Sequence, residues 1–158
     1  MKTLLLARHA KSDWGMHGYS DHDRPLNARG RRDAPAMARR LVVEGVALDR
    51  IVSSTATRAR STADEYAAAF GLALTEEPRL YAASARTILQ VASGLPDECA
   101  VGMLVGHNPG MSDAVGELTG EFVELPTCAV VECEVDVDLW AELTEGSGRL
   151  VRVRTPGD

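Results

Sequence analysis

Short apolar runs alternate with helix-length stretches along this chain, and three of the runs stop on an arginine, an imidazole or a segment leading to one. Thr3–Ala7 reads as a buried strand that ends at Arg8-His9. Ile51–Ser54 reads as a second, leading toward Arg58. Val101–Val105 is a third, closed by Gly106-His107-Asn108-Pro109-Gly110. Asn27 is placed to cap a helix running to about Val43, with Gly45 beyond its end. Thr55 or Thr57 opens another that ends near Phe70, with Gly71 as its stop. Ser84 caps a helix through Ala92, and one more follows Gly110 as far as Thr119, stopped by Gly120. Ala73–Thr75 is a weak strand, Ala129–Val135 and Leu150–Arg154 alternate as late strands do, and Leu139–Leu143 fits a short helix or a turn. Pro35 cannot donate to the carbonyl one turn back, so the first helix is expected to kink there or to restart after an Asp33 cap.

Strands alternating with helices imply a parallel-rich sheet covered on both faces. Ligands of such sheets sit in the crevice at the carboxyl ends of the strands, which is where Arg8-His9, Arg58 and His107 fall. Each of these residues alone reads equally well as a surface charge or a satisfied core histidine. Three sites at one edge do not, and an arginine closing a buried strand calls for an anion. The 158 residues fit one domain, residues 1–158, and 45% hydrophobic content is enough for a core. The net charge of −6 argues against nucleic acid or an anionic membrane as main partner. It leaves room for a local knot of Arg and His. The apolar run after Lys2 is too short for a signal peptide and no stretch could span a bilayer, so a cytoplasmic address is expected. Cys99, Cys128 and Cys133 form no CxxC pair and read as reduced residues. With no obvious exposed apolar stripe, a monomer is expected.

Two guanidiniums and two imidazoles around one crevice suit a tetrahedral dianion, because the guanidinium fork matches phosphate oxygens in pairs. A neutral imidazole nitrogen is a competent nucleophile toward phosphorus, and phosphoryl transfer asks mainly for positioning and charge stabilisation. Backbone amides after His107 would add donors if Gly110 and Met111 start a helix. Two arginines neutralise the dianion, so neither metal nor other cofactor is required. The long polar segment 11–26 holds further candidates. Lys11, Ser12 and Arg24 are placed to touch phosphate or a partner. Asp13, Asp21 and Asp23 could orient arginines or supply a proton, but read more readily as turn residues. Trp14 could wall the pocket or simply pack. His17 and His22 with Asp21 and Asp23 match no zinc spacing. The basic run Arg29, Arg31, Arg32, Arg39 and Arg40 reads as a solvated helix face.

Three segments together resemble the signatures of the histidine phosphatase superfamily. Leu-Leu-Ala-Arg-His-Ala-Lys-Ser (Leu5–Ser12) is similar to its Arg-His motif, Ser-Ser-Thr-Ala-Thr-Arg-Ala-Arg-Ser-Thr (Ser53–Thr62) to its second, and Val-Gly-His-Asn-Pro-Gly (Val105–Gly110) to the motif around its second histidine. The resemblance implies a phosphoglycerate mutase-like three-layer α/β/α sandwich with a mostly parallel central sheet. It implies His9 as the phosphorylated nucleophile and Arg8, Arg58 and His107 as the other catalytic walls of the pocket. Arg-His-Ala-Lys-Ser, Asp-Arg-Pro-Leu (Asp23–Leu26) and Leu-Tyr-Ala-Ala-Ser (Leu80–Ser84) are similar to the phosphohistidine phosphatase branch, the SixA type. Mutases and many phosphoesterases of the family carry an acid near Tyr81-Ala82-Ala83. None stands there, and Glu76 and Glu77 are poor substitutes. The expectation is a phosphatase acting on phosphohistidine in a protein, releasing inorganic phosphate. A small-molecule phosphomonoesterase or a non-catalytic phosphoprotein-binding module are the alternatives.

Overall fold

The computed structural model describes residues 1–14 and 18–157. Among them six strands form one sheet: β1 (Lys2–Arg8), β2 (Arg50–Ser53), β3 (Leu74–Glu76), β4 (Val101–Gly106), β5 (Val130–Val135) and β6 (Gly148–Arg154), in the order β3-β2-β4-β1-β5-β6. β1 to β4 are mutually parallel, β5 runs against β1, and β6 runs against β5. Five strands thus share one direction.

Side chains of β1 alternate between the two faces. Leu4 and Leu6 enter one core with α3 (Ala85–Ser93) and α4 (Gly110–Thr119). Leu5 and Ala7 enter the other with α1 (Ala28–Val43) and α2 (Thr57–Phe70). All four are fully buried, as a strand covered on both faces requires. The result is three layers, helices on each side of the sheet.

The helix ends follow local chemistry. Asn27 accepts the Gly30 amide at 2.9 Å, and Ser84 accepts that of Thr87. Gly71 and Gly120 stop their helices with φ of 66° and 77°. Gly30 is forced by contact: a Cβ there would lie 2.1 Å from the Lys11 carbonyl, where α1 meets the segment leaving β1. The break expected at Pro35 does not occur, and α1 is continuous from its Asn27 cap. The missing amide would have served the carbonyl of Arg31, an exposed residue, while Ala34, Met37, Ala38 and Leu41 hold the helix on the sheet. Asp33 pairs with Arg29 and caps nothing. Leu139–Leu143 resolves as a 3-10 turn at Trp140–Glu142, its fully buried indole donating to the Cys99 carbonyl at 2.8 Å. The three cysteines are free and buried.

Candidate active site

β1, β2 and β4 end at the same edge, and their parallel register brings Arg8 opposite Gly106 and Ser53 opposite Val105. The residues just beyond these ends, together with residues from 11–14 and 21–24 and the stretch before β5, enclose a cavity of about 210 Å³. Arg8, His9, Arg58 and His107 all line it, as do Lys11, Ser12 and Arg24. The two imidazoles lie side by side, ring centres 5.1 Å apart. Segment 11–26 is closed at its base by a Ser12–Leu26 bridge and an Asp13 amide bond to the Pro25 carbonyl, which carries Arg24 back toward β1. His17 lies outside the described residues. Among those described, no three His, Cys, Asp or Glu side chains gather in a way that could hold a metal.

His9 is 6% exposed, and its Nδ1–H donates to the Ala10 carbonyl at 2.7 Å, leaving Nε2 with the free lone pair. Its backbone is held on both sides: Ala10 N donates to Thr62 Oγ1, and the Cys128 amide donates to the His9 carbonyl. Burial pushes the His9 pKa down to about 3, helped by His107, Arg58 and Arg8 and opposed by the Ala10 carbonyl. His107 bonds Ser54 Oγ through Nε2 at 2.8 Å and is lowered to about 4, by burial first and then by the Arg58 guanidinium. Both rings are therefore neutral at pH 7. The Ser54 hydroxyl accepts the Ala56 amide and has its proton to give to His107 Nε2. His107 Nδ1, the other ring nitrogen, is a buried atom without a partner.

The arginines are fixed before any ligand arrives. Arg58 donates from Nη1 to the Asp21 carbonyl at 2.7 Å and from Nη2 to the Asp21 carboxylate at 3.1 Å. Arg24 bonds Ser12 Oγ and reaches the other Asp21 oxygen at 3.1 Å, and Arg8 donates to the Leu125 carbonyl at 3.0 Å. Each of the three keeps a buried Nε with no partner.

Several expectations need correction. Asp21 is not merely a turn residue: it lines the cavity, ties Arg24 to Arg58 and accepts the Tyr81 hydroxyl at 2.6 Å. That hydroxyl first, then Arg24 and Arg58, hold its carboxyl well below the usual carboxylate range. Asp23 keeps the turn role, its amide bonding the Ser20 carbonyl. Of the amides after His107, two are already used: Met111 N donates to the His107 carbonyl and Ser112 N to Asn108 Oδ1. Glu76 pairs with Arg60 and Glu77 with Arg79, and neither lines the cavity. Trp14 does line it, 78% exposed, with the Arg24 guanidinium 3.6 Å above its ring. Ser54 and Thr62 stood inside the second motif with no role attached, and Tyr81 stood only as the place where an acid is missing. Asn108 and Thr127 also line the cavity unforeseen.

Fold and cavity together define a three-layer α/β protein with a cationic histidine pocket at the carboxyl edge of its sheet. The chain belongs to the histidine phosphatase superfamily, whose branch 1 model matches residues 4–85. A SixA protein of Agrobacterium tumefaciens, provisionally identified as a phosphohistidine phosphatase, is 29% identical. It superposes with a TM-score of 0.84 over 99% of each chain. A similarly named protein of Nakamurella multipartitia is 27% identical, with a TM-score of 0.86 over 99% of this chain and 97% of its own. An uncharacterized protein of Mycobacterium tuberculosis is 32% identical over 94% of this chain and 99% of its own length. The sheet and helices are those of the phosphoglycerate mutase-like fold of this superfamily.

Proposed function

We propose that this chain removes the phosphoryl group from a phosphohistidine carried on a protein, through a phosphorylated His9. His9 Nε2 forms a bond to phosphorus while the P–N bond to the substrate ring breaks, its electrons becoming that ring's lone pair. With a proton already on its other nitrogen, the ring leaves as neutral imidazole. Water then attacks phosphorus, the P–Nε2 bond electrons return to His9, and inorganic phosphate departs with the water's oxygen, the surplus proton passing to solvent. Arg8, Arg24 and Arg58 present charge-assisted donors to the equatorial oxygens, with Lys11 at the rim. With the Ser54 hydroxyl donating to Nε2, the His107 Nδ1–H adds a neutral donor.

The observation that carries this reading is the state of Asp21. It is the one carboxylate among the described residues lining the cavity, and Tyr81, Arg24 and Arg58 keep it ionised. An alkoxide leaving group needs a proton from a general acid, which an ionised Asp21 cannot give. Imidazole, with an ordinary pKa of about 6.5, leaves without one. The two SixA-named structural neighbours support the same substrate class. The test compares phosphate release from a phosphohistidine-bearing protein with release from an alkyl phosphate such as glycerol 2-phosphate, whose alkoxide does need a proton. Fast release from the first and slow from the second is expected. The reverse order favours a small-molecule phosphomonoesterase, and phosphate binding without release from either favours a binding module.

A further inference from the structure

We propose that Trp14 is a specificity residue that selects a flat ring, above all an imidazolium, as the group attached to the transferring phosphorus. The inference rests on the phosphatase reading above and adds to it the surface that recognises the substrate's ring.

His9 sits at the buried floor of the cavity, 6% exposed. In-line displacement places the leaving atom on the far side of phosphorus from the attacking nitrogen. The leaving group must therefore stand toward the opening. The exposed lining residues are Lys11, Trp14 and Asp21. Two of these are ionic. Among the described lining residues, only Trp14 offers a broad apolar face at the rim, because His9 and His107 are buried.

The indole is also held in place. The Arg24 guanidinium lies 3.6 Å from its ring centre, and Arg24 is itself anchored through Ser12 and Asp21 and only 8% exposed. One side of the indole thus rests on an anchored guanidinium, and most of its surface is exposed at the cavity rim. A rigid aromatic surface loses little conformational freedom when a second ring packs on it. The ring of a phosphohistidine is cationic when its second nitrogen is protonated, and an indole is the side chain best suited to a cation over its π system. A phosphoryl group on a bare amine has the same P–N bond and nothing to stack.

That contrast is the experiment. Steady-state kcat/KM is measured for the wild-type protein, Trp14→Ala and Trp14→Phe on free 3-phosphohistidine and on phosphoramidate. Circular dichroism and thermal unfolding confirm that each variant is folded. Trp14→Ala is expected to lose about tenfold on 3-phosphohistidine, a factor several times larger than its loss on phosphoramidate. Trp14→Phe is expected to recover most of the difference. A release of Arg24 that merely damaged the phosphate site would lower both substrates by the same factor, and that result overturns the proposal. Unchanged kinetics on both substrates overturns it too. Wild-type inactivity on both would sink the phosphatase reading itself, which separates the two failures.

Discussion

At the β6 edge, Arg154 donates to Glu44 at 2.6 Å and to Glu132 at 2.9 Å, and Arg40 and Arg152 also reach Glu44. In the cavity, among the described residues, Arg8, Arg24 and Arg58 have one lining carboxylate between them, and three Nε atoms and one imidazole nitrogen are buried without partners. Arg154 and Arg58 are alike in burial, 3% and 6% exposed. They differ in what surrounds them. Around Arg154, two carboxylates face one buried guanidinium and staple β6 to α1 and β5. In the cavity, three guanidiniums share one lining carboxylate, a surplus that a dianion can offset. Buried arginine alone does not mark a binding site; how many carboxylates face it does.

The sharpest break in that comparison comes from the nucleophile. His9→Ala should lower turnover on the order of 10⁴-fold or more while the protein stays folded. Rapid-quench detection of a phosphorylated protein in wild type and its absence in the variant checks this, and an active His9→Ala protein would refute the mechanism. Next, Arg58→Met should cost about 10²–10³ in kcat/KM and little stability, since one donor to the transferring group is lost. Arg154→Met should do the opposite: activity within about twofold, and an unfolding free energy lower by about 2 kcal/mol. Parallel urea denaturation and kinetics on both variants decide. If the two behave alike, the distinction between the clusters fails.

Asp21→Asn should lower kcat by about tenfold by unpinning Arg24 and Arg58. Inorganic phosphate should inhibit at lower concentration, because one negative charge leaves the cavity. Inhibition curves beside kcat measurements separate these effects. The smallest change concerns pH. The His9 pKa, about 3, is depressed from 6.5, so between these values the unfolded chain binds the proton more readily. The His9 contribution is intact above about pH 6.5 and is lost as pH falls toward 3. From pH 7 to pH 5, His9→Gln should lose roughly 1–2 kcal/mol less stability than wild type, measured by denaturation at both pH values without phosphate.

Strand ends carrying Arg8-His9 and His107 were legible because a buried apolar run has one period and a charged stop interrupts it. Arg58 was legible by its distance from β2. The caps at Asn27 and Ser84 and the stops at Gly71 and Gly120 were legible because they satisfy neighbouring amides or a positive φ. Asp21, Tyr81 and Ser54 were not. Two of the three side-chain partners of Asp21 stand 37 and 60 residues away, and the imidazole partner of Ser54 stands 53 residues away. A polar residue in a loop carries no periodicity that would announce such a contact. Pro35 misled for the opposite reason: local propensity argued for a break, and burial of the helix face outweighed one lost hydrogen bond.

The order of residues determined the elements, which side of each strand faces a core, and which ends carry cations, since these depend on neighbours within a turn or two. Only the assembled sheet decided that β4 lies between β1 and β2, that Asp21 bridges two arginines, and that Trp14 rests on Arg24 at the rim. Those outcomes follow from packing two helical layers on one sheet, where contacts distant along the chain become the short ones that electrostatics and hydrogen bonding act upon.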